Sequence, residues 1–137
     1  MYVQREYYYL GAEDYFERHQ YDWAVCVLEE NIGNDFGWAN LVVPNEDIIG
    51  QISLLRGYVG ANETLSSSIG RILEFQGEKI KLSNAARNGI SGGPVFLNNE
   101  DYLVFGILVA GDSDGISYAK RIDNLIFTLV DNLNSTE

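Results

Sequence analysis

One serine in this sequence is surrounded by residues that have almost no side chain. Residues 88–96 read NGISGGPVF, with Ser91 between Gly89 and the pair Gly92-Gly93. A nucleophilic hydroxyl in acyl transfer needs a base to take its proton, and backbone N–H groups directed at the oxyanion that forms on the substrate carbonyl. Glycines let the backbone turn sharply and approach a bound carbonyl without an intervening Cβ. The stretch therefore predicts either an acyl-transfer nucleophile or an ordinary glycine-rich turn between two strands.

The base that would activate Ser91 is not found beside it in the sequence. The same residues fit G-x-S-x-G, the nucleophile elbow of α/β-hydrolases, in which a helix follows the serine and a histidine lies downstream. Here Pro94 opens a short strand pattern, and the one histidine, His19, lies upstream, so the elbow is excluded. His19 and Asp22 are an odd number of positions apart and would diverge on an extended segment. We expect His19 to lie at the surface or in a loop.

Composition limits the classes of partner. The chain has 137 residues, 46% of them hydrophobic, which is enough for the core of one modest domain. A formal charge of −11 argues against a surface that binds nucleic acid or an anionic membrane, because phosphate binding needs clustered Lys and Arg. No apolar run is long enough to span a membrane. The N-terminus has no signal-peptide pattern, and the compartment stays unassigned. No ligand spacing or phosphate-binding loop predicts a metal or cofactor.

The single cysteine, Cys26, excludes a disulfide within the chain. It lies in the apolar run 23–28, where free cysteine usually acts as a small hydrophobic residue. We therefore expect the Cys26 side chain to be buried.

Short apolar runs separated by turn residues are the main pattern and predict β structure. The predicted strands are 3–9, 23–28, 52–58, 70–75, 78–82, 94–97, 103–109 and 116–119. One helix is predicted near the end, where apolar residues recur at three- and four-residue steps: Ile122, Leu125, Ile126, Leu129, Val130 and Leu133. Asp123 lies near its start, where a carboxylate is favourable. These residues predict an all-β barrel or sandwich closed by a C-terminal helix.

The serine stretch is similar to the active-site segment of the trypsin-like peptidases of chymotrypsin fold, and the chain most resembles their bacterial glutamyl-endopeptidase branch. GISGGPVF is the most specific part of the resemblance. Asp22 begins a segment, DWAV, that resembles the branch's aspartate segment at the start of a buried strand. Other similar segments are the loop 32–38, the turn 56–58 with Val59 where a proline is usual, the strand 104–107 and the closing segment 116–122.

The resemblance implies an all-β, chymotrypsin-like barrel with a C-terminal helix. Residues 1–30 would be a remnant of a first barrel that carries the aspartate, and residues 31–137 the second barrel with the serine segment. Ser91 would be the nucleophile, Asp22 would orient and charge-balance a catalytic histidine, and the N–H groups of Gly89 and Ser91 would form the oxyanion hole. The alternative for Asp22 is a solvated aspartate at a strand start or in a turn.

The resemblance also implies a substrate cleft. Leu108 occupies the position where glutamate-selective members have a histidine, and Ala85-Ala86 form the pocket wall before the serine. Small and apolar residues cannot compensate a buried glutamate, so we expect a preference for a modest apolar side chain. The backbone of residues 109–111, which are Val109, Ala110 and Gly111, would pair with an extended peptide as an added strand.

The main departure from the family is the catalytic histidine, which there precedes the aspartate. Residues 1–21 are all that precede Asp22, so we expect the histidine segment to be absent and the chain to be weak or inactive alone. Three functions remain open: a portion of a serine endopeptidase acting on peptides or proteins, a non-catalytic peptide- or protein-binding relative, and an unrelated β-domain. The expected partners are an upstream histidine-bearing barrel, or another copy through the apolar surface which that barrel would cover.

Overall fold

The structure is a computed structural model that describes residues 18–60, 64–98, 102–112 and 114–135, and the backbone of Tyr2–Val3. The strands are β1 Tyr2–Val3, β2 Ala24–Val25, β3 Asn40–Leu41, β4 Ile52–Tyr58, β5 Leu65–Gln76, β6 Lys79–Leu82, β7 Pro94–Leu97, β8 Leu103–Gly111 and β9 Ser117–Arg121. The α-helices are α1 Gly33–Phe36 and α2 Asn124–Ser135, and two short 3-10 turns span His19–Tyr21 and Glu46–Ile48.

Strands β4 to β9 close into a six-stranded antiparallel barrel. Their order is β8-β7-β4-β5-β6-β9, and β9 pairs back onto β8. Alternate side chains of each strand point inward, and the buried cluster of the interior consists of Leu55, Ile72, Ile80, Leu82, Ile90, Val95, Leu97, Phe105, Leu108 and Ala119. The predicted all-β barrel with a C-terminal helix is confirmed. No described helix has the length and apolar character needed to cross a membrane.

The predicted strands 52–58 and 94–97 have the bounds observed for β4 and β7. Strand β5 begins at Leu65, five residues before the predicted start. Its first half contains three serines, which carry little strand signal, but this half pairs with the whole of β4, from Tyr58↔Leu65 to Ile52↔Arg71. Pairing with a neighbouring strand therefore outweighs weak local preference here.

The segment after Trp23 differs from the prediction. Its strand is only β2, which pairs with β1, and the rest of the predicted strand 3–9 lies outside the described residues. Val27 and Leu28 are each 59% exposed, and Cys26 is exposed as well. The prediction that Cys26 is buried was wrong, because no described strand or helix covers this part of the segment.

A buried polar side chain, that of Asn84, connects the barrel to the segment before the serine loop. Asn84 is fully buried, and its amide donates hydrogen bonds to the carbonyls of Ser53 at 3.0 Å and Ser68 at 2.8 Å. Its Oδ1 accepts a hydrogen bond from the Ser53 hydroxyl. Gly70 leaves the space for this amide, since a Cβ there would lie 2.6 Å from Asn84 Oδ1. Asn84 therefore fastens the segment that leads to Ser91 onto β4 and β5.

A second apolar cluster lies outside the barrel, beneath helix α2. Its buried members are Trp23, Val104, Ile122 and Ile126. Asp123 caps the helix, because its Oδ1 accepts the N–H of Ile126 at 2.9 Å, as the sequence position predicted. Leu125, which the predicted apolar stripe included, is 52% exposed.

The cap of helix α2 is held by a buried lysine. Lys120 is 1% exposed and donates to carboxylates of Asp123 at 2.8 Å and Glu78 at 3.1 Å. Burial by itself raises the pKa of Asp123, but the hydrogen bonds from Lys120 and from the Ile126 N–H outweigh it and hold that pKa below its usual value. The ionised cap is therefore part of the folded state.

His19 is buried, with 5% of its surface exposed, and the expectation of a surface or loop histidine was wrong. It begins a 3-10 turn that packs against β9, and is not on an extended strand. Desolvation by burial lowers the pKa of His19, the charges of Lys79 and Arg18 lower it further, and the charge of Asp22 opposes them. His19 is therefore favoured as the neutral imidazole.

We expect this histidine to make the fold sensitive to mild acid. Below the unfolded pKa of 6.5, the unfolded chain binds a proton that folded His19 does not, so stability falls with decreasing pH until the folded pKa is reached. Thermal unfolding of the wild type and His19→Gln should be compared at about pH 7.5 and about pH 5.5, on either side of that value. A drop of the same size in both proteins would exclude His19 as its source.

Candidate functional site

Ser91 lies in an exposed loop that leads into β7, and the loop is anchored to β8. The N–H of Gly92 donates to the carbonyl of Leu108 at 2.8 Å, and the N–H of Leu108 donates to the carbonyl of Gly93 at 3.0 Å. Gly89 and Gly92 have φ values of 100° and 86°, a region that side chains disfavour. The glycines of the stretch therefore serve the sharp turn that the sequence predicted.

The loop presents two backbone donors beside the Ser91 hydroxyl. The carbonyl of Asn88 accepts the N–H of Gly60 at 2.8 Å, so the N–H of Gly89, on the opposite side of the same planar peptide, points away from Gly60. Within the described part of the chain, neither the Gly89 N–H nor the Ser91 N–H donates a hydrogen bond. These are the two donors that the resemblance implies for an oxyanion hole.

A groove of about 420 Å³ runs past Ser91 on the outer face of β4 and β7. Its size is within the range typical of ligand sites. Most of its lining is apolar, and the lining includes Tyr58, Leu65, Ile90, Pro94 and Phe96 together with Gly89 and Ser91. A carbonyl carbon bound next to Ser91 would therefore be held in surroundings of low polarity.

Arg56 also lines this groove, and the sequence reasoning gave it no role in the site. The signal was available: the strand reads ISLLRGY, a charged residue within an otherwise mostly apolar run. Only the pairing of β4 with β7 shows that this position shares an outer face with the serine loop.

Asp22 lies at the end of the turn that begins with His19, and its N–H donates to the His19 carbonyl at 3.3 Å. Its charge acts on His19, but neither residue lines the groove at Ser91. The next residue, Trp23, belongs to the outer cluster that also contacts Phe96 of the groove. The outer cluster therefore lies between Asp22 and the groove. The catalytic role of Asp22 stays a prediction.

The residues predicted to bind substrate do not share one described cavity. Leu108 is 2% exposed inside the barrel, so only its backbone reaches the serine loop. Ala85 lines a separate cavity of about 360 Å³ on the other side of Ile90. Ala86 packs so closely on Gly111 that a Cβ on Gly111 would lie 2.8 Å from it.

The end of β8 keeps one unpaired edge. Ala110 and Gly111 pair with Tyr118 and Ser117 of β9, and Val109 is 8% exposed. On the other edge, no described strand pairs with β8 beyond Leu108. An extended peptide could add there as a strand, as predicted for residues 109–111.

A second surface exposes large apolar side chains, and we call it the Trp38 surface. Phe36 is 86% exposed and Trp38 is 77% exposed. Two cavities of about 210 and 230 Å³ lie against helix α2, and their apolar lining includes Trp38, Phe127, Val130, Val27, Leu28 and Ile32. Exposed apolar areas of this kind mark interaction surfaces.

Comparisons with known proteins bear on the fold. No protein-family model and no curated protein matches the chain. A solved structure described as a Glu endopeptidase in complex with MPD matches with a TM-score of 0.76 and 21% sequence identity. The match covers 98% of this chain but only 61% of the Glu endopeptidase chain. The chain therefore has the fold of a chymotrypsin-like protease barrel, closed by a C-terminal helix.

Proposed function

We propose that this chain is the serine-bearing portion of a trypsin-like serine endopeptidase, which hydrolyses peptide bonds through an acyl-enzyme. The observation that carries the proposal is an exposed Ser91 in an apolar groove, beside two N–H groups without an acceptor in the described part of the chain. Preorganised donors of this kind stabilise the charge that develops on the substrate carbonyl oxygen.

In the proposed reaction, Ser91 Oγ attacks the carbonyl carbon of the peptide bond while a base accepts the hydroxyl proton. The base returns that proton to the departing amine, and water then hydrolyses the ester on Ser91. His19 is poorly suited to be the base, because it is buried and does not line the groove. We assign the base to a histidine of another polypeptide segment, oriented by Asp22.

The Trp38 surface supports the need for such a segment. Its aromatic side chains are largely exposed, and covering them would contribute roughly 25 cal/mol for each Å² of apolar area buried. We propose that a histidine-bearing segment packs there and that, without it, copies of this chain associate through the same surface. A protein that stays monomeric by light scattering and binds no apolar dye would contradict this.

The substrate we propose is an extended peptide that adds to the free edge of β8 at residues 109–111. Ala85 and Ala86 are small and apolar and cannot themselves hold an acidic side chain, which supports a modest apolar residue at the cleaved position. A cleavage profile that required an acidic residue at that position would refute this.

A second function is a peptide- or protein-binding module without catalysis. It is favoured by one observation: no described histidine lines the groove, whereas the groove and the free β8 edge are both present. Such a module would bind peptides as the endopeptidase does but would leave them intact.

Labelling of Ser91 by a fluorophosphonate, read by intact mass, separates the two functions. The protein is tested alone, with added imidazole, and after mixing with a separately expressed upstream segment from the same locus. We expect labelling only when a base is supplied, no labelling of Ser91→Ala, and normal labelling of Ser67→Ala, an exposed serine of β5. Absence of labelling under all three conditions would leave only the binding function.

A further inference from the structure

Arg56 places a guanidinium group in the lining of the groove at Ser91. Its side chain forms no hydrogen bond or ion pair with any described residue. Its Nε is buried and has no acceptor among the described residues, which is a costly state for a charged donor. The chain carries 20 acidic residues, so carboxylates are not scarce in its sequence. Nevertheless, none pairs with the Arg56 side chain in the described structure.

The position of Arg56 is well defined by its neighbours. The guanidinium carbon lies 5.9 Å from the ring centroid of Tyr102, and the Tyr102 ring meets Phe96 edge-to-face with centroids 6.2 Å apart. The guanidinium thus lies against the Tyr102 ring, which in turn contacts Phe96 of the groove wall.

The backbone of Arg56 also touches the serine loop. A Cβ on Gly93 would lie 2.7 Å from the Arg56 carbonyl oxygen, so the strand and the loop are in direct contact. The groove contains no residue of the free edge at 109–111, because its walls come from β4, β7 and the serine loop, with Leu65 of β5. Consider a peptide that pairs with that edge and continues past Ser91. Its residues beyond the cleaved bond would lie in the groove that contains Arg56.

We propose that Arg56 binds a carboxylate side chain of the peptide, in the part that lies beyond the cleaved bond as seen from the β8 edge. This inference rests on the proposed use of the groove to hold a peptide. A guanidinium can donate two parallel hydrogen bonds to a carboxylate. The net charge of −11 would otherwise repel acidic peptides, so a preference for them requires a local cation of this kind.

The test measures peptide binding and does not depend on hydrolysis. Fluorescein-labelled, alanine-based octapeptides with a single glutamate or a single glutamine at each of the last four positions are titrated with the protein by fluorescence anisotropy. At one position the glutamate peptide should bind about tenfold more tightly, and Arg56→Gln should remove the difference, whereas Arg56→Lys should keep part of it. Arg87→Gln is the matched control, since Arg87 is exposed in the cavity on the other side of Ile90.

Three outcomes would overturn the inference. They are equal binding of both peptides at every position, an equal loss of preference in Arg87→Gln, and loss of the preference when the upstream segment is added, which would mean that the segment occupies Arg56. The labelling experiment can fail while the Arg56-dependent preference is present, and the reverse also holds. The two proposals are therefore tested separately.

Discussion

Gly89→Ala is expected to lower the free energy of unfolding by about 3 kcal/mol or more and to abolish labelling of Ser91. Gly89 has a φ of 100°, and a Cβ there would lie 2.4 Å from the backbone nitrogen of Gly60. Since the obstructing atom is backbone, the loop itself would have to move. That movement would turn the Gly89 N–H out of its present direction. Denaturant unfolding measures the loss of stability. Fluorophosphonate labelling, with imidazole or the upstream segment added as the base, measures the effect on Ser91.

Gly92→Ala is the matched control for this prediction. Gly92 lies in the same loop with a φ of 86°, but no atom lies within 4 Å of a Cβ there. We expect only the conformational cost of an alanine in this region, about 1–2 kcal/mol. If the two variants lose the same stability, the contact between Gly89 and Gly60 is not what holds the loop.

Asn84→Ala is expected to destabilise the fold by about 3 kcal/mol and to lower Tm by roughly 10 °C. The substitution leaves the carbonyls of Ser53 and Ser68 and the Ser53 hydroxyl without their partner inside the barrel. It also removes the connection between the barrel and the segment that precedes Ser91. Differential scanning calorimetry gives the change in Tm.

Two further variants test whether these hydrogen bonds act as one network. Asn98→Ala replaces an exposed asparagine at the end of β7 and should change stability by less than about 0.5 kcal/mol. Adding Ser53→Ala to Asn84→Ala should cost less than Ser53→Ala alone, because the shared hydrogen bond is already lost. Additive effects in this double-mutant cycle would show that Asn84 acts mainly by filling space.

The candidate site was only partly predictable from the sequence. Ser91 and its glycines were predictable because a sharp glycine-rich turn is specified by residues that are consecutive in the sequence. Arg56 did not stand out, because it lies 35 positions before Ser91 and meets the serine loop only through strand pairing. The role of Asp22 remains a prediction, since the described residues bring its charge to His19 and not to the groove.

The sequence by itself determined the features that depend on near neighbours along the chain. These include the bounds of β4 and β7, the cap of helix α2 by Asp123, and the left-handed glycines around Ser91. Hydrophobic periodicity and φ preferences act over a few residues, so a local pattern is sufficient for them.

Only the tertiary structure decided the burial of His19, the exposure of Cys26, the early start of β5 and the position of Asn84 inside the barrel. Each of these depends on which distant segment covers or pairs with the residue. A turn packs His19 against β9, β4 extends β5, and a missing Cβ at Gly70 admits Asn84. Such contacts depend on how whole elements pair and pack, which a local pattern of a few residues does not specify.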